Sequence, residues 1–151
     1  LPDKKLVVIG SGPDMEKIRA KAGENVEILG YQSFQVLREH LQKARAFIFA
    51  AEEDFGIAPL EAQACGTPVI AFGKGGALET IRGLGVDKKP TGVFFRQQTP
   101  ESLEQAVVQF ELECNLISFQ DCIDNAHTFS DKQFKENFEK FVLKKYQAWK
   151  N

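Results

Sequence analysis

The stretch AEEDFGIAPLEAQACGTPVI, Ala51 to Ile70, decides the fold. The run before it, AFIFA at 46–50, is apolar and rich in β-formers, so it reads as a buried strand. Three acids and then Phe55-Gly56 turn the chain into a helix. Pro59 suits the first turn of that helix, where a missing backbone N–H costs nothing. Gly66 suits its left-handed cap, and Pro68 blocks continuation. A new strand follows at 69–72, VIAF. A strand, a glycine turn and a helix N-terminus together gather free N–H groups and the positive end of a helix dipole, which makes an anion site. Glu53 and Glu61 bracket it, one at the strand exit and one on about the first turn of the helix. Two carboxylates repel a phosphate. Their chemistry suits them to accept hydrogen bonds from hydroxyls, as on a ribose or a hexose.

The pattern repeats on either side. Residues 5–9, KLVVI, form a strand that turns through Gly10-Ser11-Gly12-Pro13 into a helix over about 14–22. Gly10 and Gly12 resemble part of a dinucleotide fingerprint, and they equally suit a plain strand-to-helix turn. Residues 26–30 form the next strand. Tyr31 and Gln32 connect it to a helix capped by Ser33 and running to about 44, with Phe34, Leu37, Leu41 and Ala44 on its core face. After the strand at 69–72, Gly75 and Gly76 open a short helix over 77–81. They would allow close approach of a ligand to backbone, or simply form a loop. GVFF at 92–95 is a fifth strand, and Pro100 starts a helix whose apolar face is Leu103, Ala106, Val107 and Phe110. Helices are also expected over about 117–126 and, capped by Ser130 with Gln133 as capping-box partner, over 131–149. Phe134, Phe138, Phe141, Val142 and Tyr146 make one apolar stripe on that last helix, which predicts core packing or an interdomain contact. The lysines around it (Lys140, Lys144, Lys145, Lys150) leave a membrane-surface helix as the alternative.

Strands alternating with helices predict an α/β fold, a Rossmann-like parallel sheet with helices on both faces. Such sheets bind ligands at the carboxyl ends of their strands. The turns at Gly10, Tyr31, Glu53 and Gly75 all fall on that edge.

The bulk composition excludes several classes. With 151 residues, one domain is expected. A net charge of −2 gives no basic field for nucleic acid. No apolar run reaches the length of a membrane span. Cys65, Cys114 and Cys122 form no CxxC pair, and with only His40 and His127 there is no metal-ligand spacing. Reduced thiols and a cytoplasmic setting are expected, with Cys65 buried in its helix. The 13 phenylalanines are expected in the core.

These motifs carry a resemblance. The run from Glu53 to Glu61, a Glu-x7-Glu pattern enclosing Phe-Gly, continues through AQACGTPV to Gly75-Gly76-x-x-Glu79. It resembles the donor-binding, C-terminal half of retaining GT-B glycosyltransferases of family 4. VIGSGP near the start, Leu29-Gly30, GVFF and Phe129-Ser130 agree with it.

The resemblance implies a hexosyltransferase that moves a hexose from a nucleoside-diphosphate sugar, by weak preference GDP-mannose, to an acceptor hydroxyl with retention. Glu53 would accept bonds from the hexose, and Phe55, Gly56 and Ile57 would offer amides to the diphosphate. Glu61 would hold the ribose, Tyr31 and Gln32 would line the base, and Gly10 and Gly12 would lie near the nucleotide. No cofactor or metal is implied. The implied partners are the sugar donor, a carbohydrate or lipid-linked acceptor and the protein's own N-terminal acceptor domain. Attachment at the inner membrane face is compatible with such an acceptor. The family's earlier strand and helix, whose Arg and Lys clamp the diphosphate, has no counterpart before Leu1, so the chain is expected to be a fragment that is inactive alone. Lys74 is a further basic group that could touch phosphate, although it does not occupy the family's lysine position. Two alternatives share the fold: a non-catalytic nucleotide-binding domain, and a GT-B nucleotide-sugar epimerase. A flavodoxin-like dinucleotide domain is disfavoured, because no acid stands at a strand end about 20 residues after Gly12, and Glu27, which comes closest to that place, lies inside its strand.

Overall fold

The computed structural model describes residues 1–150. The chain separates into two compact units, Leu1–Lys43 and a second beginning at Ala44. The first holds β1 (Leu6–Ile9), α1 (Met15–Lys21), β2 (Val26–Gly30) and α2 (Phe34–Lys43). β1 and β2 pair in parallel, and Gly10 N–H donates to the Gly30 carbonyl at 2.8 Å to close the pair at its carboxyl end. Ser33 Oγ accepts from Val36 N–H at 3.4 Å, as its place before the helix predicts.

The second unit holds β3 (Phe47–Phe49), α3 (Ile57–Ala64), β4 (Val69–Phe72), α4 (Ala77–Thr80), β5 (Gly92–Phe95), α5 (Pro100–Glu113), α6 (Phe119–His127) and α7 (Asp131–Lys150). A 3-10 turn at Cys114–Leu116 separates α5 from α6, so α6 starts two residues later than its sequence pattern suggests, with Ser118 as N-cap. The strands form a three-stranded parallel sheet in the order β3-β4-β5. The expected parallel sheet is therefore present as two pieces, one of two strands and one of three, each flanked by helices.

All four residues of β4 are buried, as a parallel strand covered on both faces requires. Ile70 and Phe72 stand beside Val93 and Phe95 of β5 and pack with Ala106 and Phe110 of α5. Val69 and Ala71 point to the opposite face and are as thoroughly buried. Thr99 caps α5 by accepting from Ser102 N–H at 3.2 Å.

Three expectations need correction. The phenylalanines are not all core: Phe34, Phe55, Phe119, Phe134, Phe138 and Phe141 are exposed. The stripe on α7 is real, with Phe134 stacked on Phe138 and Lys145 over the Phe141 ring, yet no residue of α7 is buried. Helical spacing sets which residues share a face and not what covers that face. The deeply buried thiol is Cys122, whereas Cys65 is half-buried at the end of α3. Burial pushes the Cys122 thiol up to about 12, with the Asp121 charge a smaller cause, so it stays protonated and unreactive near neutral pH. Among the described residues, no helix is long and apolar enough to cross a membrane.

Candidate functional site

Two loops at the carboxyl edge of the three-stranded sheet define the site. One follows β3 and carries Glu53, Phe55 and Gly56 into α3. The other follows β4 and carries Gly75 and Gly76 into α4. Gly56 occupies the N-cap position of α3 at φ 82°, a conformation that favours glycine, and no side chain caps the helix. The N–H groups of Ile57 and Ala58 thus lie at an open helix N-terminus. Pro59, buried at the third helical position, contributes no N–H there. Gly66 ends the segment at φ 82°, as expected of its left-handed cap.

Glu61 falls on the second turn of α3, slightly later than expected. It lies one turn beyond Ile57 on the same face and is half-buried. Glu53 is exposed at the strand exit. Tyr31 (83 % exposed) and Gln32 belong to the first unit, where the Gln32 amide donates to the Leu29 carbonyl at 2.8 Å. Gly10 and Gly12 lie in that unit too, and a Cβ built on either meets nothing within 4 Å. The second unit therefore holds Glu53, Phe55, Gly56, Gly75 and Gly76 on two neighbouring loops and Ile57 and Glu61 on α3, and the first unit holds the other four.

Gly75 and Gly76 serve a purpose the sequence left open. The close approach they permit is to the other loop. A Cβ on Gly75 would stand 2.5 Å from the Glu53 carbonyl oxygen, and one on Gly76 would stand 2.4 Å from Phe55 Cα. Gly76 N–H donates to the Glu53 carbonyl at 2.7 Å. Lys74 is paired with Glu52 at 3.1 Å, so its charge is directed at a neighbour and not at an open phosphate position.

Several residues that sequence reasoning passed over hold these loops. Gln63, Thr80 and Asn125 are buried polar residues. The Gln63 amide donates to the Pro59 and Thr80 carbonyls at 3.2 and 3.0 Å. The Asn125 amide donates to Gln63 Oε1 at 2.7 Å and to the Thr80 carbonyl at 2.8 Å. Their signal was a polar residue on a core-facing position: Gln63 four places after Pro59, and Asn125 three after Cys122. From the end of α6, Phe129 meets the Phe55 ring edge-on, with centroids 5.9 Å apart. Two shallow surface depressions, one lined by Lys5, Asn25 and Glu27 and one by Arg96, Gln97 and Gln105, involve none of the site residues. The site is a rim of backbone and carboxylates.

Residues 2–111 match the family described as Glycosyl transferases group 1. The chain belongs to that family. Over 91 residues it is 37% identical to a GDP-mannose-dependent monoacylated alpha-(1-6)-phosphatidylinositol monomannoside mannosyltransferase of Corynebacterium glutamicum, covering 53% of this chain and 24% of that protein. Over 94 residues it is 33% identical to the GDP-mannose-dependent alpha-(1-6)-phosphatidylinositol monomannoside mannosyltransferase of Mycolicibacterium smegmatis, covering 54% and 25%. The chain thus matches about a quarter of the length of these relatives. Its fold is similar to that of sucrose-phosphate synthase from Thermosynechococcus elongatus, with a TM-score of 0.75 at 21% identity over 95% of this chain and 39% of that one. The fold is accordingly part of the GT-B architecture that the motifs suggest.

Proposed function

We propose that this group 1 glycosyl transferase chain is the donor-binding part of a retaining hexosyltransferase that uses a nucleoside-diphosphate sugar, GDP-mannose by preference. The observation that carries this is the open N-terminus of α3 with Glu61 one turn along it and Glu53 on the loop that feeds it. Both relatives described above are named as GDP-mannose-dependent mannosyltransferases, which favours that donor.

The chemistry divides by charge. The amides of Phe55, Gly56 and Ile57, reinforced by the helix dipole, receive the diphosphate and stabilise the negative charge that grows on it as the glycosidic bond breaks. Glu61 accepts hydrogen bonds from the ribose hydroxyls. Glu53 accepts them from the hexose and orients it, so that its acid serves position and not covalent attack. Gly75 and Gly76 keep the Glu53 turn close to the diphosphate amides. The acceptor is a carbohydrate or lipid-linked hydroxyl, held by a further domain of the protein, and a cytoplasmic or inner-membrane-face setting suits it.

Calorimetric titration with GDP, UDP and ADP, repeated on Glu61→Ala, tests this. One nucleoside diphosphate binds preferentially, and the substitution weakens it by about 1.5–3 kcal/mol, the scale of a hydrogen bond to a charged group. That is roughly ten- to a hundredfold in Kd. Unchanged affinity in Glu61→Ala would remove the ribose assignment.

A further inference from the structure

The Glu53 turn is not held by its own loop alone. A hydrogen-bonded path reaches it from α6. The Asn125 amide donates to the Thr80 carbonyl at 2.8 Å. Thr80 Oγ1 donates to the Gly76 carbonyl at 2.9 Å. Gly76 N–H donates to the Glu53 carbonyl at 2.7 Å. A branch runs from the same Asn125 amide to Gln63 Oε1 at 2.7 Å, and the Gln63 amide returns to the Pro59 carbonyl in the first turn of α3. Asn125 is 4 % exposed, and Gln63 and Thr80 are fully buried.

Both amide N–H groups of Asn125 are used, as are both of Gln63. Such a network has a single satisfied arrangement, because rotating any member strands a buried donor or acceptor. A core built only of apolar side chains at these three points would permit small slides of α3 against α4. The polar one permits none without a broken bond.

We infer that Asn125 is a positioning residue: through Thr80 and Gly76 it fixes the Glu53 turn, and through Gln63 the first turn of α3. It touches no ligand. This inference deepens the proposed donor site and rests on that proposal for its functional consequence.

The test is amide hydrogen exchange on the unliganded chain, together with GDP and guanosine titration, for Asn125→Leu and Thr80→Val. Thr80→Val is nearly isosteric and removes only the hydroxyl bond to the Gly76 carbonyl, leaving the Thr80 N–H bond to the same carbonyl in place, so it keeps the test open if Asn125→Leu fails to fold. In the folded variants, exchange at the Gly76 amide is expected to rise at least tenfold more than exchange at the Ile70 and Ala71 amides of β4. GDP affinity falls about tenfold while guanosine affinity is unchanged, because only the diphosphate meets the displaced amides. A purely structural role would raise exchange at Gly76 and β4 together and leave GDP affinity in the folded protein unaltered, and that result would overturn the inference. If the unsubstituted chain bound no GDP, UDP or ADP, the donor proposal would fall. The selective exchange at Gly76 would still decide whether Asn125 holds the Glu53 turn.

Discussion

Two glycine turns in this molecule look alike as sequence and differ in what surrounds them. Gly10-Ser11-Gly12 and Gly75-Gly76 each follow an apolar strand and precede a helix. Around Gly10 and Gly12 a Cβ would meet nothing within 4 Å. Around Gly75 and Gly76 it would run into the backbone of Glu53, Asp54 and Phe55 at 2.4 to 2.6 Å. The first pair leaves room above the chain. The second uses the missing side chain to bring two loops into backbone contact. A glycine before a helix therefore has two separable purposes, open space around the turn at Gly10 and Gly12 and close packing of two loops at Gly75 and Gly76.

The largest expected effect is at Gly76. Three backbone atoms of the neighbouring loop lie within 2.6 Å of a Cβ placed there, and none of them can rotate away. Gly76→Ala is expected to cost about 3 kcal/mol or more, at the upper end of overpacking penalties. Urea unfolding would measure it. A loss below about 1 kcal/mol would show that the Glu53 loop yields easily, and the contrast between the two turns would vanish.

How much of this was legible in the sequence varies residue by residue. β4 and β5 occupy the expected residues, 69–72 and 92–95, because Pro68 and Gly92 mark where continuous apolar runs begin. Gly66 and Ser130 were readable as caps, since their side chains, or the lack of one, act on backbone within three residues. The Glu53–Glu61 loop was readable for the same local reason. The Gln63–Thr80–Asn125 network was not. Its bonds join residues 17, 45 and 62 positions apart, and nothing local to any of them names its partners. α7 shows the opposite limit. Its stripe of Phe134, Phe138 and Phe141 was evident from spacing, yet the three rings are exposed. Gly75 and Gly76 fall between these cases: glycine announces that something comes close, and the fold alone says what.

Gly10 isolates backbone strain from crowding. Its φ of 131° lies where side-chain-bearing residues rarely go, while the space around it is open. Gly10→Ala is expected to cost about 1–3 kcal/mol through the backbone alone. That is less than Gly76→Ala, and the loss should persist whichever small residue is introduced. A cost equal to that of Gly76→Ala would mean that the turn is crowded after all.

Gly12 is the case in which neither strain nor crowding acts. It has no left-handed φ and no neighbour for a Cβ. Gly12→Ala should change stability by no more than about 0.5 kcal/mol. Any gain would come from a less flexible unfolded chain. The informative quantity is then the affinity for GDP. A methyl group that meets no protein atom can interfere only with something that arrives from outside. If the nucleotide lies over this turn, Gly12→Ala weakens GDP binding about tenfold while the melting curve stays where it was. If both are unchanged, Gly12 is only a turn residue, and the open space of the first unit has no part in donor binding.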